Sequence, residues 1–438
     1  MAGLAAAAAL GEAELPVLVV EARKRIGGRV YTQQDPALHA PIDFGAEFIH
    51  GRPSEIWNLV DRSTVDEVKG QNWCAGPRGV QRCKLFSQVD KILEAMDDSV
   101  PDESFLDFLD RKFPNPSHDP ALEDAKRRAV GYVSGFNAAD PALVGVHWLV
   151  ASMRAEQKID GERAFRCRQG YTALLDAFRK RIARSNVTIR TGVAVNKISW
   201  AKGKARVTVR DRQGTSTLVA PQVLITLPLA VLQASSEAGA IDFAPALPRK
   251  KIVAMSKLEM GKVIRIVLRF RRRFWNSIPN PGARKAGRKK DLSDMSFLFS
   301  DDDLFPTWWT SLPQKRPFIT GWAPFRSAEK LSGQPESTVI KHAVETLSRL
   351  LGVEAGKVEN WLDAAYLHDW QTDPFSRGAY SYAKVGADGA QQALGAPVEN
   401  TLFFAGEATD TSGNNGTVHG AIASGYRAAQ EIIEARRG

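Results

Sequence analysis

With 438 residues, 44% of them hydrophobic and 25% charged, the chain has the composition of a globular protein and is not intrinsically disordered. At about 150 residues per domain it has room for two to four domains. The net charge of +10 would suit a nucleic-acid or anionic-membrane partner, but residues 249–290 hold 15 Lys and Arg against one acid, Glu259, leaving −4 elsewhere. Such a segment reads as a solvated strand edge followed by a basic loop (Arg284, Lys285, Arg288, Lys289, Lys290), so no nucleic-acid partner is expected.

The chain opens with an alanine-rich helix over residues 1–14, ended by Pro16, and then Val17–Val20, a β-branched run suited to a strand buried on both faces and closed by Glu21. Ala22–Gly28 is a basic loop, and Ile42–Gly51 is a strand or loop whose glycines point to a close backbone approach. Residues 54–162 read as helical and amphipathic. Strand patterning returns at Val187–Ser199, Ala205–Val209, Val223–Leu227 and Val263–Phe270, and again at Thr401–Phe404 before a closing helix over residues 420–436. Cys74, Cys83 and Cys167 are too few and too irregularly spaced for a disulfide framework or a zinc site, so no metal is expected. No run reaches the roughly 18–20 apolar residues that cross a bilayer, and the start lacks a signal peptide's basic residues. A soluble, reducing, cytoplasmic setting is the expectation.

A helix, a strand and an acid in this order form the second half of a dinucleotide-binding βαβ unit, with Gly3 where the third glycine of G-x-G-x-x-G would tighten helix against sheet. The first strand and the first two glycines are not in the text. A chain starting at Met1 is therefore expected to leave a gap in the centre of its sheet and to bind the dinucleotide poorly.

The run Glu21-Ala22-Arg23-Lys24-Arg25-Ile26-Gly27-Gly28-Arg29-Val30 resembles a signature of the flavin-containing amine oxidase family, which includes monoamine oxidases, polyamine oxidases and FAD-using histone lysine demethylases. Phe44-Gly45-Ala46-Glu47-Phe48-Ile49-His50-Gly51 is similar to the segment beside the flavin ring. Phe403 to Thr409 with Gly416 to Ala421 resembles the final flavin motif, and Val195 resembles a residue of the adenine-edge strand. The fold implied is α/β: a discontinuous Rossmann-type FAD-binding domain (residues 1–57, 160–236 and 362–438) and a substrate domain of mixed β-sheet with helices (58–159 and 237–361).

By this resemblance Glu21 holds the adenosine ribose, and Ala22, Arg23, Gly27, Gly28 and Arg29 approach the pyrophosphate and flavin. Gly406 and Glu407 meet the ribityl or pyrophosphate region, and the Val418 N–H faces the flavin's electron-rich edge. Trp370 to Tyr380 looks like the W-x-x-D-P-x-x-x-G-x-Y segment on the substrate face. Ala379 stands where monoamine oxidases carry the cysteine bonded to FAD, which implies a non-covalent cofactor. Tyr380 matches one tyrosine of an amine-clamping pair, and Thr417 stands at the other. His50 matches a histidine of some polyamine oxidases, or is a loop histidine bonded to backbone. Arg265 occupies the position of a family lysine near flavin N5, while Lys262 points to the opposite face. Arginine does not lose its proton near neutrality, and a fixed cation there would disfavour an ammonium substrate.

The implied activity is oxidation of a C–N bond of a small-molecule amine: hydride passes to flavin N5, the imine hydrolyses, and O2 is reduced to H2O2. Two alternatives remain: an FAD-dependent desaturase or dehydrogenase acting on a non-amine substrate, and a degenerate member with a binding role.

Overall fold

The computed structural model describes residues 1–76, 79–83, 86–279 and 291–437. The elements that carry the site are helix α1 (Ala2–Glu12), strands β1 (Val17–Glu21), β2 (Val187–Thr191), β3 (Val223–Ile225), β4 (Val263–Phe270) and β5 (Leu402–Phe404), and helix α2 (Val418–Arg437). Alanine favours helix and adds almost no bulk, so α1 can lie directly on a neighbour. It packs against α2 closely enough that a Cβ on Gly425 would stand 2.3 Å from the Ala2 carbonyl oxygen.

β1 pairs in parallel with β2, Val17 opposite Val187 and Glu21 opposite Thr191, while β3 pairs in parallel with β5. Among the described residues these two-stranded sheets are not joined to each other. Both contribute to one apolar cluster, in which Val17, Leu224 and Phe403 meet Ala6 and Leu10 of α1. The discontinuity expected in the sheet is therefore present. It also corrects the reading of Val17–Val20 as buried on both faces: β1 has a strand neighbour on one side only, and Leu18 is 45% exposed.

A seven-stranded mixed sheet forms the other body of the fold, in the order Leu362–Leu367, β4, Phe318–Pro324, Thr307–Thr310, Met295–Phe299, Gln71–Gly76, Gly79–Arg82. Fully buried Trp73, Trp275, Trp308, Phe270 and Phe274 fill its core under the helix Glu336–Leu351. Every residue of β4 is buried, so it is an inner strand and not the solvated edge expected from its arginines. Carboxylates make this possible: Arg269 meets Asp35 at 2.7 Å, and Arg265 meets Glu47. The basic loop Arg284, Lys285, Arg288, Lys289 and Lys290 lies outside the described residues.

Residues 54–162 are not uniformly helical. Helices Pro120–Phe136 and Val146–Gln157 fit the expectation, but strands Val65–Glu67, Gln71–Gly76 and Gly79–Arg82 precede them. Trp73 recruits this hairpin to the large sheet's core. Cys74 and Cys83 form a disulfide across the hairpin with Cα atoms 5.3 Å apart, a bridge that the expectation of a reducing setting did not include; Cys167 is free and buried. Closing this short loop is expected to contribute about 2–3 kcal/mol to stability. Alkylation of the denatured, unreduced chain followed by mass measurement should add one group; three would show the bridge absent. No helix among the described residues is long and apolar enough to cross a membrane.

Candidate functional site

The C-terminal ends of β1 and β5 and the start of α2 converge, and loops from four parts of the chain meet there. At the end of β1, Glu21 accepts the Arg23 N–H at 2.8 Å and leaves its carboxylate side chain 25% exposed. Ala22 follows, half-buried. Arg23 turns away and clamps Asp373 at 2.6 Å and Ser376 at 2.9 Å, beside the rings of Trp370 and Phe375. Burial would raise the Asp373 pKa, but hydrogen bonds from His368 and Arg23 hold it well below the usual range. Arg23, expected at the cofactor, thus braces the Trp370–Ser376 loop.

Gly27 and Gly28 both have positive φ, at 104° and 61°. A Cβ on Gly27 would strike the Val30 carbonyl at 2.6 Å, whereas one on Gly28 would meet nothing within 4 Å, so Gly28 fronts open space. Arg29 donates to the Ala379 carbonyl at 2.7 Å and pairs with Glu407 at 3.0 Å. The Met1 amine is buried beside Arg29 and Glu21, and burial, with Arg29 adding to it, lowers its pKa to about 6.

Glu407, expected to face a ligand, has both oxygens engaged: one with Arg29, the other with the Ser381 hydroxyl at 2.6 Å and the Gly416 N–H at 2.9 Å. It ties three loops together. Gly406, with φ 143°, is open around its Cα and donates to Ser424. Gly3 packs α1 on the end of β3, where a Cβ would stand 3.1 Å from Thr226 Oγ1. Val195 lies opposite Val209 and shares an apolar cluster with Val20 of β1.

Phe44 stacks on Tyr31, and its carbonyl accepts the indole N–H of the buried Trp370 at 3.0 Å. Gly45 must be glycine, because a Cβ would sit 1.9 Å from the Arg29 carbonyl oxygen, to which the Ala46 N–H also donates. The close approach expected here is thus to the chain's own backbone. Glu47 is buried among Arg166 Nε at 2.7 Å, Arg265, and the Trp309 indole N–H at 3.0 Å. Burial would raise its pKa, but Arg166 and then Arg265 hold it low. Arg265 also donates to the Gly45 carbonyl at 2.8 Å. It is therefore not a bare charge, but shares its carboxylate with Arg166. Lys262 pairs with Glu329 near the surface, away from this cluster.

Tyr380 donates to the Phe136 carbonyl at 2.7 Å, and its ring lies over Gly416. Burial raises its pKa, so the phenol keeps its proton. His50 contacts Phe136 edge-on at 5.4 Å, and burial alone lowers its pKa to about 4. His419 is likewise lowered to about 4, by burial and then by His50. These groups form an uncharged wall.

Thr417, expected at the second position of an amine-clamping pair, is the N-cap of α2: its hydroxyl donates to the Asn414 carbonyl at 2.7 Å and accepts the Gly420 N–H at 3.0 Å. Thr417→Ala should cost about 1 kcal/mol in urea unfolding. No loss would contradict the capping role. With the Gly420 and Ala421 N–H groups engaged by Thr417, those of Val418 and His419 remain for a ligand.

Asp43, Arg166, Trp309, Phe136 and His419 were not anticipated. Asp43 lies inside the 42–51 motif, but Arg166 and Trp309 reach Glu47 from strands with no motif of their own. Burial, and then Glu47, raise the Asp43 pKa to about 6. In the window from about 4 to about 6 the folded chain holds a proton that the unfolded chain has released, so this residue makes stability fall as pH rises. Asp43→Asn, which can still accept from Thr32 and the Tyr171 N–H, should remove a penalty on the order of 2–3 kcal/mol at pH 7. Urea midpoints of both proteins across this window test it: parallel pH curves would refute the assignment.

The chain matches the family model described as flavin containing amine oxidoreductase over residues 1–72 and 80–433. It is 27% identical to lysine-specific histone demethylase 1 homolog 3 of Arabidopsis thaliana over all of this chain but 29% of that protein. It is also 25% identical to polyamine oxidase 2 of Arabidopsis thaliana, over 98% of this chain and 85% of that one. Its fold is similar to putrescine oxidase bound to putrescine, with TM-score 0.76, 19% identity and coverage of 99% and 97% of the two chains. Cyclohexylamine oxidase from Brevibacterium oxydans gives TM-score 0.76 and 19% identity, covering 100% and 97%. A family match spanning nearly every residue agrees with the motifs now seen to converge on one site, and the chain belongs to the flavin-containing amine oxidoreductases.

Proposed function

We propose that the chain is an FAD-dependent oxidase of amines that holds its cofactor non-covalently. The observation that carries this reading is the open surface formed by Gly28, the partly exposed carboxylate of Glu21 and the free N–H groups of Val418 and His419, beside an uncharged wall. Those residues fit a dinucleotide: Glu21 would take ribose hydroxyls, and the Gly28 region with Arg29 the pyrophosphate. The α2 N-terminus would take the electron-rich edge of the flavin. Arg23 and Glu407 would act at one remove, by bracing the loops. Ala379 offers no attachment point, and the free cysteine, Cys167, is buried with its pKa pushed up to about 12. FAD would occupy residues 1–57, 160–236 and 362–438, and substrate the remainder.

When bound, FAD supplies a two-electron acceptor for hydride from a carbon next to nitrogen, with O2 as the final oxidant and H2O2 as its product. Tyr380, His50 and Phe136 would enclose the amine without a charge, and burial among neutral groups favours an amine's uncharged form, whose lone pair supports loss of hydride. The Glu47 carboxylate, shared with Arg166, offsets part of the Arg265 charge.

The test is peroxide release by the FAD-loaded chain with monoamines, diamines, polyamines and a methyl-lysine peptide. Amine-dependent peroxide matched by a carbonyl product supports the reading. Bound FAD with neither product from any of these amines would sink it.

A further inference from the structure

A cavity of about 50 Å³ lies behind Glu47, between β4 and the chain around residues 310–316. Three guanidinium groups line it, those of Arg166, Arg265 and Arg316, against the carboxyls of Asp43 and Glu47. Asp66, which also faces Arg316, is engaged by Arg168 and the Gln314 side chain. The lining therefore carries an excess of positive charge even with both of its own carboxyls ionised.

The donors are also incompletely used. Arg166 is 8% exposed and donates Nη1 to the Leu312 carbonyl at 2.6 Å, yet its Nη2 is buried with no acceptor. Arg265 is 6% exposed, and its Nε has none either. The Arg316 guanidinium makes one long hydrogen bond, 3.5 Å, to the Arg168 carbonyl. A buried charged donor without an acceptor is among the costliest groups to leave unpaired, and two of them, with the sparsely bonded Arg316 guanidinium at the same space, call for an acceptor in it.

We infer that this cavity is a binding site for one small monovalent anion, of the size range from halide to formate, held by Arg166 and Arg316 with Arg265 as its inner wall. The volume admits a few waters or one such ion, and excludes a ligand of substrate size. An ion there would sit beside Glu47. The inference is independent of the proposed activity, because it rests on charge and orphaned donors alone. A free halide or nitrate and a small carboxylate share the required chemistry.

The experiment is thermal unfolding of the full chain against bromide, nitrate and formate at constant ionic strength, with gluconate, too large for the cavity, as the balancing salt. An anion that binds the folded chain should raise the midpoint with its concentration. Arg316→Met, at a half-exposed side chain, should fold and weaken the apparent affinity about tenfold or more. Halide and nitrate acting where formate does not would assign the site to inorganic anions, and the reverse to carboxylates. Bromide-soaked crystals supply a second readout, an anomalous peak between Arg166 and Arg316. Midpoints that respond identically in the wild-type and Arg316→Met chains, or a cavity holding water only at high bromide, would overturn the inference.

Discussion

Glu47→Ala is expected to destabilise the chain by about 3–5 kcal/mol, because it strands Arg166 and Arg265 in the interior without their shared counter-ion. Their side chains are 10% and 5% exposed, too little for water to replace the carboxylate. Glu47→Gln, which keeps hydrogen-bond acceptance but not charge, should fall between wild type and Glu47→Ala. The pH dependence supplies a second mark. Glu47 has a lowered folded pKa, so its contribution is present above the unfolded value and is lost as pH falls through the folded one. Asp43 works with the opposite sign, its penalty appearing as pH rises toward about 6. Equilibrium unfolding of the single and double variants separates the two. A Glu47→Ala chain of wild-type stability would show that the arginines find another partner.

A chain extended ahead of Met1 by a β-branched strand ending in Gly-x-Gly is expected to bind FAD on the order of a hundredfold more tightly than the chain beginning at Met1. Among the described residues β1 and β5 each pair with one strand only, and both meet the underside of α1. A strand between them could pair with both and join the two small parallel sheets into one. Its terminal glycines would add backbone N–H groups where the Met1 amine now lies beside Arg29 and Glu21. Two charge-assisted hydrogen bonds at about 1.5 kcal/mol each account for a factor of that size. FAD titration of both proteins by flavin fluorescence provides the comparison. Equal affinities would mean that the open edges do not receive a strand.

The sequence made the backbone of the candidate site legible because its requirements are local. Positive φ at Gly27 and Gly28, a helix start after Thr417 and an acid at the end of β1 each leave a mark within a few residues. What it hid are partners separated by most of the chain. Arg23 reads as a cofactor cation until Asp373 is seen beside it, and Thr417 as half of an amine clamp until its hydroxyl is seen capping α2. Arg265 is the clearest case. Its position was visible, but whether it presents a bare charge depends on Glu47 and Arg166, which only the fold brings together. The burial of β4 was missed for the same reason, since alternating arginines look like a solvated face unless the carboxylates that meet them are known.

The most direct test is anaerobic mixing of the FAD-bound chain with an excess of each amine in the panel, followed in the flavin's visible absorption. Stoichiometric bleaching by at least one amine, reversed on admitting oxygen with release of peroxide, is the predicted result. An unchanged spectrum with every amine, while FAD stays bound, would contradict the reading of this site as an amine oxidase.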